Sequence, residues 1–175
     1  MLDIDQDGDQ DYLLGNWGIN SKYTATNDPL KLYYQDFDKN GTFESVVANF
    51  KNGQYYTVNS LDELASQMPF LRKKYPSYQS FSKASVEQIF TEQTIEKSKL
   101  LKVEELRFGY LENNNGKFVF VSFDESLQVS PIKTFVKFDF DGDKKEEVLC
   151  AGNFFGISLY HGRFDSFSRA LIKNL

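Results

Sequence analysis

Acidic and amide side chains recur at fixed spacing in three nine-residue segments of this 175-residue chain. We call them the first loop (3–11), the second loop (36–44) and the third loop (139–147). Oxygen-bearing side chains occupy the first, third, fifth and ninth places: Asp3, Asp5, Asp7 and Asp11 in the first loop, Asp36, Asp38, Asn40 and Glu44 in the second, and Asp139, Asp141, Asp143 and Glu147 in the third. The seventh residue (Asp9, Thr42 or Lys145) would add its backbone carbonyl oxygen, as in other calcium loops. Alternating oxygen donors around a turn are what a hard cation needs, and Ca²⁺ fits this pattern best.

The sixth place of each loop must turn the chain sharply. Gly8 and Gly41 occupy it in the first two loops, and glycine accepts positive φ without strain. The third loop has Lys144 there, which adds a Cβ atom and a positive charge close to the expected cation. We therefore expect the third loop to bind calcium most weakly.

The segments that flank the loops indicate β-strands. An EF-hand needs a bidentate acid at the twelfth place and helices on both sides. The twelfth residues here are Leu14, Val47 and Cys150, and apolar, β-rich runs follow all three loops and precede the second and third. The EF-hand and the dockerin-like alternative are both excluded, so the three segments are predicted to be loops between strands.

The composition restricts the class of protein further. The chain is 41% hydrophobic and 16% aromatic, which favours a globular protein rich in sheet. It has no apolar run of 18 residues, one Cys and one His, so a transmembrane helix, a disulfide framework and a Cys- or His-rich metal site are excluded. The net charge of −5 argues against nucleic acid as the main partner.

A longer unit repeats around the loops. The acidic residue that ends the first loop and the one that ends the third are each followed by a short apolar strand. A turn with the sequence Gly-Asn-aromatic comes next, at 15–17 and at 152–154. Repeating units bury their faces against one another, and short strands with Gly turns suit the blades of a β-propeller. Trp17, Phe154 and Phe155 could serve as sugar-stacking platforms, but packing between blades is the interpretation that we favour.

These residues resemble a known family. The pattern Asp-x-Asp-x-Asp-Gly-x-x-Asp before a short strand looks like the FG-GAP/VCBS repeat of calcium-binding β-propellers. The runs 11–20, 152–156 and 162–166 resemble its cartilage-acidic-protein-like bacterial branch, which often carries a UnbV/ASPIC region. The resemblance implies a seven-bladed propeller, calcium in loops between strands and export from the cytoplasm, and it implies no settled reaction.

The region between the second and third loops breaks the repeat. Ser60 and Ser85 are predicted to cap helices, with a short helix after Pro69 between them. Strands are expected to resume at Leu101, with a hairpin turn at 113–116. We therefore predict a partial β-propeller in one fragmentary domain: blades at 1–59, a helical insertion at 60–100 and further blade strands at 101–175.

Two classes of function remain open. The first is a calcium-stabilised module of an exported bacterial protein that acts in adhesion, binding or scaffolding, with a protein or glycan ligand. The second is the propeller portion of a polysaccharide lyase or hydrolase whose catalytic residues lie mostly outside this chain. His161 and Arg163 could act as a base and an anion clamp, but no nucleophile lies beside them in sequence, so no catalytic residue is assigned. An extracellular, cell-surface or periplasmic location is expected, with the rest of the propeller supplied by further sequence or a partner.

Overall fold

The protein is mainly β, with ten strands in three antiparallel sheets and five short α-helices among the residues described in this computed structural model, which are 3–4, 7–143 and 145–173. The strands are β1 (Tyr12–Leu14), β2 (Leu30–Gln35), β3 (Glu44–Lys51), β4 (Gln54–Thr57), β5 (Lys99–Val103), β6 (Gly109–Asn114), β7 (Lys117–Ser122), β8 (Thr134–Phe138), β9 (Glu147–Ala151) and β10 (Ala170–Ile172). The helices are α1 (Leu61–Gln67), α2 (Phe70–Lys74), α3 (Tyr78–Ser82), α4 (Val86–Ile89) and α5 (Glu92–Glu96). Short 3₁₀ helices cover Glu125–Leu127 and Leu159–His161.

The chain forms two compact units. One is discontinuous and combines residues 1–21 with 106–175, and the other is continuous over residues 22–105. This grouping differs from the three segments drawn from the sequence, because the helical region shares a core with the sheet that precedes it. The division into blades stays a prediction.

The discontinuous unit contains two three-stranded antiparallel sheets, with strand orders β1-β6-β7 and β10-β9-β8. Strand β1 pairs with the distant β6, with Tyr12 opposite Leu111. Its core is centred on Phe108, Ile132 and Cys150. The side chain of Gln128 is also buried here, and its amide bonds the backbone of Phe108 in both directions at 2.8 and 2.9 Å.

The continuous unit contains a four-stranded antiparallel sheet, in the order β4-β3-β2-β5, with the helices on one face. Alternate side chains of the strands, such as Tyr33, Val46 and Ala48, enter the core, as expected for a sheet covered on one face. The helices complete this core with apolar residues, including Leu64 and Leu71, neither of which is exposed to solvent.

Helix starts follow the sequence signals closely. Ser60 and Ser85 each form a full capping box, with Glu63 and Gln88 respectively closing it from the third helical position. Both boxes confirm the prediction. The short helix after Pro69 is confirmed as α2. The predicted hairpin turn is also confirmed. Asn114 pairs with Lys117, so the turn itself consists of Asn115 and Gly116, which have φ values of 54° and 87°.

The Gly-Asn-aromatic turns pack together in the discontinuous unit. The Trp17 ring lies 5.4 Å from that of Phe154 and 5.1 Å from that of Phe164, measured between centroids. Gly15 and Gly152 both lie against the backbone of residues 131–133, so closely that a Cβ atom would come within 2.6 Å of a carbonyl oxygen. The repeat-equivalent aromatic residues therefore pack against each other; an arrangement between blades stays a prediction.

None of the helices in the described part of the chain has the length and apolar character needed to cross a bilayer.

Candidate metal centre

The second and third loops hold the same position in their sheets. Residues 36–43 join β2 to β3, and residues 139–146 join β8 to β9, so each loop closes an antiparallel hairpin. The strands predicted on either side of these loops are confirmed. The last residue of the first strand is opposite the ninth residue of the loop in both cases, because Gln35 pairs with Glu44 and Phe138 pairs with Glu147.

The ninth residue of each loop is a buried carboxylate. Asp11 is 0% exposed, Glu44 2% and Glu147 5%. In each loop this carboxylate accepts a hydrogen bond from the backbone N–H of the second residue: Ile4 N to Asp11 at 2.6 Å, Phe37 N to Glu44 at 2.9 Å, and Phe140 N to Glu147 at 2.8 Å. A buried charge is costly unless it is paired or bound to a metal. The shared bond fixes the carboxylate toward the loop interior.

The second loop brings three carboxylates to one point. One oxygen each from Asp36, Asp38 and Glu44 lies within 4.8 Å of the others. Backbone N–H groups orient these side chains, since Asp36 accepts from Asn40 N at 3.0 Å and from Gly41 N at 2.9 Å. Oxygens bound to one calcium ion, at about 2.3–2.6 Å from it, are at most about 5 Å apart. The three carboxylates therefore lie close enough together to hold a single metal ion.

The third loop brings together the carboxylates at the same three places. Oxygens of Asp139, Asp141 and Glu147 also lie within 4.8 Å of one another. Asp143, at the fifth place, accepts the backbone N–H of Lys145 at 2.8 Å, as Asn40 accepts that of Thr42 at 2.7 Å in the second loop. Carboxylate oxygens from the first, third and ninth places therefore lie close together in both loops. The carbonyl ligation expected of Thr42 and Lys145 stays a prediction.

A second left-handed position lies within these loops, and the sequence did not reveal it. As predicted, Gly8 and Gly41 have positive φ, of 94° and 89°. The fourth place is left-handed too: Lys39 has a φ of 61° in the second loop and Gly142 a φ of 82° in the third. The third loop therefore has glycine at one of the two turning places. Lys144, at the other, lies outside the described residues.

The lysine directly after β10 contacts the third loop. Lys173 Nζ lies 2.7 Å from Asp141 Oδ2. The hydrogen bond from Lys173 lowers the pKa of the Asp141 carboxyl, and the same bond raises the pKa of Lys173. A cation at this place competes with a metal for Asp141. Glu146, the eighth residue of the loop, forms an ion pair with Lys137 Nζ at 2.8 Å.

The first loop is anchored to the β6–β7 hairpin. Besides its bond from Ile4 N, Asp11 accepts one from Asn113 N at 2.8 Å, and Asp9 accepts one from Asn115 N at 3.2 Å. The other Asp9 oxygen is buried without a hydrogen-bond partner among the described residues. Burial raises the pKa of the Asp9 carboxyl, the Asn115 N–H opposes this, and the charge of Asp7 raises the pKa further.

A desolvated carboxylate oxygen of this kind is a suitable cation ligand, and metal binding by the first loop stays a prediction. Asp3 accepts from Gly8 N at 3.2 Å, the same bond that Asp36 makes with Gly41 in the second loop. Asp5, predicted as a ligand at the third place, lies outside the described residues.

An exposed aromatic pair lies beside each loop. Tyr12 and Phe118 meet at 5.5 Å near the first, Tyr34 and Phe43 stack at 5.2 Å near the second, and Phe138 and Phe140 meet at 5.4 Å near the third. All six rings are more than a third exposed. These pairs combine a flat apolar surface with an adjacent cluster of oxygen ligands.

Several charged or reactive residues away from the three loops make local contacts. Arg163 forms an ion pair with Asp165 at 2.7 Å, and His161 ends a short 3₁₀ helix. Cys150 is fully buried, and burial raises the pKa of its thiol, which makes it a poor nucleophile. Arg72 forms an ion pair with Asp62 on a neighbouring helix.

No family model, curated protein or solved structure is significantly similar to this chain. The residues themselves therefore define the site. Among the described residues they give two clusters of acidic groups able to hold a metal ion, each at the tip of a β-hairpin.

Proposed function

We propose that this chain is a calcium-binding module of an exported bacterial protein, built as part of a β-propeller of FG-GAP/VCBS type and acting in binding, adhesion or scaffolding. The observation that carries the proposal is the pair of matching carboxylate clusters in the second and third loops. Two loops far apart in sequence share the same ligand spacing, the same hairpin position and the same bond to a buried ninth residue. A shared metal-binding role explains this repetition of costly acidic clusters.

The chemistry of the donors favours calcium among the common metals. Both clusters consist of oxygen ligands, and Zn²⁺ sites are usually built with Cys or His. Magnesium is smaller and usually keeps several waters, with one or two carboxylates from the protein. Three carboxylates with further amide and carbonyl oxygens suit the six to eight ligands that Ca²⁺ takes. Millimolar calcium outside cells would fill sites of moderate affinity, which agrees with the proposed export.

The aromatic pairs support a binding role. Exposed apolar patches framed by polar residues commonly mark interaction sites. A bound calcium would also neutralise the acidic loop beside each pair, and so lower the electrostatic cost of approach by a partner. The resemblance and the repeated loop, strand and turn support the proposed arrangement in blades.

Thermal melts test the proposal. Calcium at a hundred times its Kd should raise the free energy of unfolding by about 2.7 kcal/mol per site, because it binds only the folded form. The melts compare chelator, millimolar calcium and millimolar magnesium at equal ionic strength. Equal melting temperatures in chelator and calcium, or an equal effect of magnesium, would contradict calcium binding.

Single substitutions then assign the sites. Asp38→Ala and Asp5→Ala should each remove one calcium from the stoichiometry measured by calorimetry and leave the other sites intact. The two loops belong to different compact units, so the effects should be nearly additive. Loss of all binding from either change would show that the loops form one shared site.

A further inference from the structure

A cavity of about 270 Å³ lies in the continuous unit, between β4 and the helices α1 and α3. It is separate from the acidic loops. Its lining comes from three short stretches of chain: Tyr56 and Thr57 in β4, Asn59, Ser60 and Leu61 at the start of α1, and Tyr78, Phe81, Ser82 and Ala84 in α3 and just after it.

The cavity combines an apolar floor with an aromatic rim. Leu61, Phe81 and Ala84 are buried, at 1%, 6% and 8% exposure. Tyr78 is 60% exposed, and Tyr56 is half-buried. Exposed aromatic rings beside an apolar floor are able to contact the flat face of a ligand.

The polar groups of the lining keep unused hydrogen-bonding capacity. Asn59 Oδ1 accepts Val47 N at 2.9 Å, which fixes the amide, while its Nδ2 has no partner in the described part of the chain. The hydroxyls of Thr57 and Ser82 donate to the backbone carbonyls of Asn59 and Gln79, at 3.1 and 3.2 Å. Each hydroxyl oxygen can still accept. The lining therefore offers both donors and acceptors to a ligand.

The lining carries no formal charge. None of its nine residues is acidic or basic. Asp62, which accepts the Tyr78 hydroxyl at 3.0 Å, forms an ion pair with Arg72. The nearest charges, on Asp62 and Arg72 beside Tyr78, already pair with each other, so a charged ligand would gain no free counter-charge from the lining, and burial of an unpaired charge is costly. The cavity is matched to a neutral ligand.

We propose that this cavity binds one neutral sugar residue of a glycan. A pyranose has the required combination of a flat C–H face and hydroxyls that both donate and accept. The volume lies just below the range of about 300–1,000 Å³ for drug-sized ligands, so it suits a single ring. This inference deepens the binding role proposed above by naming a ligand class, yet it uses none of the calcium ligands.

The test is saturation-transfer NMR and calorimetry on the whole chain, with methyl glycosides of neutral hexoses as probes. Galacturonic acid tests for charge, and N-acetyltyrosinamide tests whether a peptide side chain is the true occupant. At least one neutral glycoside should bind and the uronic acid should not. Failure of every neutral glycoside, or tighter binding of either comparison compound, would overturn the proposal.

Two variants locate the binding. Tyr78→Ala should weaken it at least tenfold, and Ser82→Ala, a small change at an exposed position, several-fold. Tyr160→Ala is the matched control, because this tyrosine is 50% exposed and lies outside the lining, in the discontinuous unit. An unchanged affinity in both cavity variants, or an equal loss in the control, would refute the assignment.

The calcium melts and the sugar-binding test distinguish failure of this proposal from failure of the calcium-binding proposal. Sugar binding with no calcium effect on the melts would refute the calcium module and retain the cavity. A calcium effect without sugar binding would do the reverse.

Discussion

Glu44→Gln should have opposite effects on stability without and with calcium. One oxygen of Glu44 lies within 4.8 Å of oxygens on Asp36 and Asp38, and all three side chains carry formal negative charges. Without a metal, the neutral amide relieves repulsion. With calcium, the same change removes a ligand. The shape of the side chain is nearly conserved, so the carbonyl oxygen of the amide can still accept the N–H of Phe37.

The separation of the charges sets the size of the stability change expected without calcium. At 4.8 Å, two unit charges repel by about 1 kcal/mol in water and about 3.5 kcal/mol at an effective dielectric constant of 20. Glu44 takes part in two such pairs, so the relief is about 2–7 kcal/mol. The bond from Phe37 changes from charge-assisted to neutral, which costs about 1 kcal/mol. The metal-free variant should therefore be more stable by at least about 1 kcal/mol, which is about 2–4 °C in melting temperature for a chain of this size.

The assay is a melt of both proteins in chelator and in millimolar calcium. Glu96→Gln, at an exposed place at the end of α5, controls for the removal of one negative charge. Glu147→Gln should show a smaller gain in chelator, because Lys173 already offsets part of the charge in the third loop. A fall in melting temperature of equal size in both solutions would refute the reasoning, since it would mean that Glu44 acts only through packing.

Three more predictions concern single positions. Lys173→Met should tighten calcium binding at the third loop several-fold in calorimetry, because it frees Asp141 from a competing cation; weaker binding would contradict this. Gly142→Ala should weaken the same site about tenfold, because a side chain at φ 82° costs about 1–2 kcal/mol. Burial, aided by the charge of Glu87, raises the pKa of Tyr33 to about 12, so the unfolded chain loses this proton first as the pH rises. Tyr33 should contribute a loss of stability of up to about 3 kcal/mol between about pH 10 and 12. Burial raises the pKa of Tyr55 and Tyr75 as well, so Tyr33→Phe should reduce the loss in alkaline denaturation, whereas Tyr34→Phe should not.

Local signals in the sequence predict local structure well here. The strands beside the second and third loops, both capping boxes and the turn at Asn115–Gly116 depend on residues within a few positions of each other. Convergence of the first, third and ninth ligands also follows from their spacing in one short loop. Helices α3 and α5 were missed, since each is only five residues long and lacks a clear apolar period.

Contacts between distant residues could not be predicted. Nothing near β1 indicates that it pairs with β6, or that Asn113 donates to Asp11 from 102 positions away. Lys173 likewise reaches Asp141 across 32 positions. The left-handed fourth place was missed for another reason: Lys39 is a residue type that seldom adopts positive φ, and the glycine pattern pointed to the sixth place.

The discontinuous unit also constrains the order in which the chain can fold. Asp11 meets Asn113 only after a loop of 102 positions is closed. Within that loop, β2 pairs with β5 and places Leu30 opposite Val103, so the two ends of the continuous unit become neighbours once it has folded. The remaining loop then has about thirty free residues, which lowers the entropic cost of closure by about 1 kcal/mol. During synthesis the sheet of the continuous unit can therefore form first. Its folding then brings residues 106–175 of the discontinuous unit close to residues 1–21.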